Sequence, residues 1–298
     1  MSRVSLAIAI LLLATWPAAA AAPLRFGSFK DDLFKLPAPT SKSADGSYVV
    51  IPFDAARDVN GRDAEPEVKA KAKYVSLDVD KGQKDLVLVD GKAKVQFVSV
   101  GDIHKPAKTA FIFVHGKGGN RFQGVDDWTF GGNFNRLKNI VVRAGGIYLS
   151  PHVTSAGSAG VAEVTVLMKE FAAYSPGAPI FIGCASNAGD VCWTLASRTE
   201  TSKLIGGLLL LGATSNISFL SSPAGKDPSR YIPVYIAHGN KDKVIRWQAP
   251  QIFYKNVKAL RPDYPIRFVV FDGGTHGTPM RMTDWPAVLN WMLSVKRG

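Results

Sequence analysis

From residue 109 onward the chain alternates short, wholly apolar runs with longer stretches whose apolar residues recur at helical spacing, and this alternation constrains the fold most tightly. The apolar runs are 109–114 (TAFIFV), 146–149, 180–183, 208–211, 232–236 and 266–271. Helical patterns fill 134–144, 161–174, 187–197, 249–260 and 284–295, with Val164, Leu167, Met168 and Phe171 on one face of the second. Strands without polar alternation are buried on both faces, and a helix between successive strands makes the sheet mostly parallel. The expected fold class is therefore α/β. Upstream, 74–79 alternates, 86–89 is a short apolar run, and Asp90-Gly91 signals a tight turn into 95–100. Together these predict an antiparallel opening of the same sheet.

The segment before this region reads differently. Residues 23–68 are rich in proline, glycine, serine and charge, and only 48–53 is apolar enough to dock. They are expected to be a leader packing on the surface of the domain that spans 69–298. Residues 1–22 have a basic start at Arg3, an apolar run over 6–13 and small residues over 18–22, the pattern of a removed secretory signal peptide. The run is too short to span a bilayer, and no later stretch approaches the roughly twenty residues required. The expectation is an exported protein, periplasmic or secreted, with no integral membrane segment after cleavage; an uncleaved anchor is the alternative.

Export would place Cys184 and Cys192 where disulfides persist. One sits at a strand end and the other on the buried side of the next helix, so a bridge stays open, and buried free thiols are the favoured reading. The chain carries 36 basic against 24 acidic residues, a net charge of +12. That balance suits nucleic acid, anionic envelope surfaces or anionic substrates. The basic residues are scattered, however, with only Lys69, Lys71 and Lys73 forming a run, and no recognition motif accompanies them, so no nucleic-acid partner is expected.

In a parallel sheet the chemistry gathers at the carboxyl ends of the strands. The stretch IFIGCASNAGDVCW places Ser186 where the 180–183 run gives way to a helix. A serine on such a strained turn needs small neighbours two residues to either side, and Cys184 and Ala188 supply them, although glycine is commoner there. A helix-capping serine is the alternative. Asp242 follows the 232–236 run within HGNKD, and His276 follows 266–271 within DGGTHG. A serine hydroxyl needs an imidazole to take its proton and a carboxylate to orient that imidazole, and these residues provide both. Taken singly, Asp242 could be a turn or cap residue. His276 could be a structural histidine or, with His238, part of a metal site, but no further ligand lies at a recognisable spacing. The glycine-rich loop HGKGG follows the 109–114 run. Its flexible alternative aside, it offers backbone donors to a tetrahedral oxyanion, each worth about 3 kcal/mol. The N–H groups of Lys117 and Asn187 are the expected pair, with Gly118 as a substitute for the first.

Through HGKGG, CASNA, HGNKD and GGTHG the chain resembles the α/β-hydrolase superfamily over about residues 69–298. Among its branches it is most similar to small esterase, thioesterase and dienelactone-hydrolase-like proteins. The resemblance implies hydrolysis of an acyl substrate through an acyl-enzyme, with Ser186, His276 and Asp242 as a triad and with no cofactor or metal. Some relatives carry cysteine at the elbow; Cys184 as nucleophile would put Ile182 where a small residue is required, which favours Ser186. Lids in this superfamily come from insertions after the sixth strand. Here 214–230 is short, so a small cap and an open site for small or externally presented acyl groups are expected. Gly116, Gly118, Trp128 and His152 are candidate substrate contacts, with Arg121, Phe122, Phe130 and Pro151 as further entrance residues; Lys117 and Arg121 hint at an anionic substrate group. The expected activity is cleavage of small-molecule or acyl esters. Alternatives are a serine peptidase or acyltransferase on the same fold, or a catalytically silent ligand-binding protein.

Overall fold

The computed structural model describes residues 23–64, 69–91 and 93–295; the expected signal segment, 1–22, lies outside them. The strands of the main sheet are β1 (Ser41–Lys42), β2 (Tyr48–Pro52), β3 (Gln83–Asp90), β4 (Ala93–Val100), β5 (Ala110–Val114), β6 (Ile147–Pro151), β7 (Ile180–Ala185), β8 (Ile205–Leu211), β9 (Val234–Gly239) and β10 (Ile266–Asp272). They form one ten-stranded sheet in the order β1-β2-β10-β9-β8-β7-β5-β6-β4-β3. The strands from β2 through β6 in that order are parallel. Antiparallel β4 and β3 close one edge and β1 the other.

The covering helices are α1 (Asn133–Arg143), α2 (Ser158–Tyr174), α3 (Gly189–Ser197), α4 (Gln248–Leu260), α5 (Thr278–Met282) and α6 (Trp285–Ser294). Alternate residues of each strand serve opposite faces. Ile180, Ile182 and Cys184 of β7 join the core under α2, α3 and α4, while Phe181 and Ala185 join the core under α1 and α6. Double burial is why the strands read as unbroken apolar runs, each fully buried aliphatic or aromatic side chain contributing about 1.5–3 kcal/mol. Since β6 precedes β7 in the chain yet lies on the far side of β5, the connections diverge between β5 and β7. A crevice opens outside their carboxyl ends.

The N-terminal region is woven in more closely than a surface leader. Residues 41–52 supply β1 and β2 of the main sheet, with Val50 beside Val270 in register. Phe26 is buried against Phe181, and its backbone is clasped on both sides by the side-chain amide of Asn290 on α6. This segment accounts for one of the two charges that α1 buries, Arg136. Arg136 meets Asp31, Asp284 and the carbonyl of Phe29, whereas Lys138 meets Asp80, Asp127 and the carbonyl of Val125. A buried charge that loses its partner costs about 3–5 kcal/mol, so the Arg136 contacts with Asp31 and Phe29 fix the path of the crossing chain.

One local expectation changes. Residues 74–79 are a 3-10 turn and coil, not a strand: Asn135 binds both the N–H and the carbonyl of Ser76, leaving that backbone nothing to give a sheet. The 214–230 connection folds into three short helical turns at Ile217–Ser221, Pro223–Lys226 and Pro228–Arg230. They pack down on α3, with the Phe219 ring against Trp193. No helix among the described residues is long and apolar enough to cross a membrane.

Candidate active site

At the end of β7 the chain turns through Ser186, whose φ of 56° lies in the left-handed region that a side chain enters only at a cost. The turn folds α3 back over the strand end and brings Cys192 above Cys184. The two are joined, with an S–S distance of 2.02 Å and a Cα separation of 6.3 Å. The expectation of free thiols is thereby corrected; strand-end and helix labels alone do not reveal how sharply the turn doubles back. The bridge closes a ring that contains both Ser186 and Asn187. Across from it, a Cβ on Gly116 would stand 2.7 Å from the Ser186 Cβ, so only glycine lets the HGKGG loop approach this closely.

The second part of the site follows β9 and β10. Asp242 heads a turn in which its Oδ1 accepts the N–H groups of Val244 (2.8 Å) and Ile245 (3.0 Å). Its Oδ2 accepts from Nδ1 of His276 at 2.7 Å, with the carboxylate wholly buried and the imidazole about one quarter exposed. Burial acts to raise the Asp242 carboxyl. Hydrogen bonds from His238, His276 and the Ile245 and Val244 backbone outweigh it and hold the group well below the usual carboxylate range. With Nδ1 donating to Asp242, Nε2 of His276 is the nitrogen left for chemistry.

Ser186 and His276 line one cleft of about 320 Å³, together with Gly116, Lys117, Gln123, Phe130, Gly277 and Met280. Among the described residues no hydrogen bond joins Ser186 Oγ to His276; they meet as walls of the same cleft. Phe130, like Ser186, has positive φ (50°). The one-turn helix α5 that carries Met280, and the Gln123 turn, are too short to leave a periodic signal in the sequence.

The Lys117 N–H, an expected oxyanion donor, is engaged: the side-chain Oδ1 of Asn187 accepts it at 2.7 Å. On the far side of the loop lies a second cleft of about 210 Å³, lined by His115, Lys117, Gly118, His152, Ser155 and Asn187. Nδ1 of His115 lies 2.9 Å from the Gly116 carbonyl, and its Nε2 accepts the Val153 N–H, so the proton sits on Nδ1. Burial pushes its pKa down. The ring stacks on His152 at 5.6 Å.

Other candidates lie elsewhere. Trp128 lines neither cleft and packs beneath the Lys69 ammonium. Arg121 is held in a two-point ion pair with Asp85 of β3, which takes it out of any anion subsite. Phe122 is exposed beneath the Arg121 guanidinium, Pro151 ends β6, and the 214–230 turns border neither cleft. No group of three His, Cys, Asp or Glu side chains among the described residues is arranged to hold a metal ion.

No family model matches the chain, and no curated protein matches its sequence. Solved structures do match in fold. A protein named FAE aligns with TM-score 0.56 and 16% identity over 77% of this chain and 95% of that one. An esterase of Pyrococcus furiosus aligns with TM-score 0.54 and 13% identity over 72% and 93%. A thermostable esterase aligns with TM-score 0.55 and 15% identity over 72% of this chain but 63% of its own, so this chain spans less than two thirds of that protein. The sheet, its switch point and these likenesses define the α/β-hydrolase fold.

Proposed function

We propose that this chain is an exported serine hydrolase that cleaves small carboxylic esters through an acyl-enzyme. The observation that carries the reading is the Asp242–His276 hydrogen bond opening onto the cleft that also holds a left-handed serine. Ser186 Oγ attacks the ester carbonyl carbon while its proton passes to Nε2 of His276. Asp242 keeps the proton of Nδ1 directed and stabilises the imidazolium. The carbonyl oxygen becomes an oxyanion facing the N–H groups of Asn187 and Lys117. His276 returns its proton to the leaving alcohol, and water, activated by the same imidazole, releases the acid and frees Ser186.

In the resting site Asn187 Oδ1 occupies the Lys117 N–H. A substrate must turn that side chain away, and exchanging a neutral acceptor for an oxyanion strengthens the hydrogen bond. The two small clefts and a cap that packs on α3 support small or externally presented acyl groups. Export is supported by the residue 1–22 pattern and by the buried Cys184–Cys192 bridge, since disulfides persist in oxidising compartments.

Fluorophosphonate labelling of the mature protein, with peptide mapping, tests the nucleophile. Labelling at Ser186 that vanishes in Ser186→Ala is the expected result; a folded protein that does not label would favour a silent binding role. Matched ester, amide and acyl-acceptor substrates then define the reaction. A dominant amidase or transfer rate would replace the esterase reading with a peptidase or acyltransferase.

A further inference from the structure

Asp242 Oδ2 faces two imidazoles. Besides His276, the fully buried His238 at the end of β9 brings its Nε2 to 3.1 Å. The same Nε2 lies 2.9 Å from the carbonyl of Ile245, which accepts its hydrogen bond. A carbonyl accepts only from a protonated nitrogen, so the proton is on Nε2 and is shared between the Asp242 carboxylate and the turn that carries it. His238 therefore grips the carboxylate at Oδ2 and also closes the 242–245 turn, whose N–H groups hold Oδ1.

The other ring nitrogen argues against a space-filling role. Among the described residues, Nδ1 of His238 is buried with no hydrogen-bond partner. Burying an unpaired polar atom is a cost that a leucine or phenylalanine at this strand end would not incur. An interior histidine with one nitrogen unsatisfied is explained by what its other nitrogen does.

We propose that His238 is a positioning residue of the base arm, which draws on the Asp242 carboxylate in competition with His276 and thereby sets the pH below which the site loses its base. This rests on the serine-hydrolase reading above. The remaining ionisable groups near Asp242 are turned outward. Lys241 and Lys243 on its own turn and Arg246 beyond it are exposed, and the exposed Asp272 at the end of β10 is bound by the Asn240 amide at 2.7 Å. Among the described residues, His238 and His276 are the ionisable side chains that face the carboxylate within the buried space.

Removing the His238 donor leaves Asp242 more basic and better able to stabilise a protonated His276, so the base is lost at higher pH. The test is the pH dependence of fluorophosphonate labelling at Ser186 in the full mature chain, for the unmodified protein, His238→Phe and His238→Gln. The acid limb is expected to move up by about half to one pH unit in His238→Phe, and His238→Gln, whose amide can still donate, to return at least half of that shift. A folded His238→Phe whose limb stays in place or moves down would overturn the proposal. Nitrogen-15 NMR of the unmodified protein gives a check that survives misfolding of either variant. A proton on Nε2 of His238 is expected, and a proton on Nδ1 instead would also overturn it. Failure of the unmodified protein to label would reject the hydrolase reading itself, a result distinct from an unmoved limb.

Discussion

The two arms that meet at the cleft are held by different forces. The serine arm is fixed by covalent and steric means: a left-handed turn at Ser186, a disulfide across it and a glycine at near-contact distance. No hydrogen bond among the described residues fastens the serine hydroxyl. The histidine arm, among the described residues, has neither a left-handed side chain nor a cross-link, and is assembled from polar contacts converging on the two oxygens of Asp242. Steric constraints are indifferent to pH, whereas a carboxylate network titrates. Damage to the first arm should therefore appear as lost geometry or stability, and damage to the second as altered pH dependence.

The largest effect should come from Asp242→Asn, which leaves His276 without its anionic partner and should lower turnover by about 10⁴-fold, read in ester hydrolysis at neutral pH. The same variant carries a stability signature. The Asp242 carboxyl titrates lower in the folded chain than its unfolded value of about 3.9, so its stabilisation is complete above that pH and is lost as the pH falls below it. Melting temperatures of Asp242→Asn should therefore fall less steeply than those of the unmodified protein below about pH 4. An unchanged slope would show that the network contributes no such dependence.

Next in size, Gly116→Ala forces a methyl against Ser186 and should displace the HGKGG loop, lowering turnover by about 10²- to 10³-fold with the acid limb unmoved. A shifted limb would blur the division between the arms. Smallest in activity should be the Cys184→Ala/Cys192→Ala pair. Losing the bridge should cost about 2–4 kcal/mol in denaturant unfolding, with the pH profile again unchanged. Equal stability with and without the bridge would mean the turn holds itself.

The contrast also explains what the sequence made readable. Unbroken apolar strands announce burial on both faces, and the order of Ser186, Asp242 and His276 along the chain places each after such a strand, as the fold bears out. Less visible were features set by how elements lie against one another. The Cys184–Cys192 bridge depends on the angle at which α3 leaves the turn. The Asn187 contact with Lys117 depends on one rotamer, and His238, which the sequence offers as a possible metal partner of His276, shows its contact with Asp242 only once its neighbours are in place. Trp128 and Arg121 were expected at the entrance from their nearness to HGKGG in the chain, but local partners, Lys69 and Asp85, claim them. Arg136 of α1 becomes interior because the N-terminal segment crosses it and supplies Asp31 and the Phe29 carbonyl.

That crossing also bears on when the molecule can come into being. β2 completes its side of the sheet by pairing with β10, and Phe26 is clasped by Asn290, 264 positions later in the chain. Early residues must therefore wait for the last ones, and a chain emerging from the ribosome cannot finish its sheet until residue 272 is free. Contacts of such long sequence separation slow folding. Completion of the sheet is thus a late event, set by the last strand of the chain and not by its first.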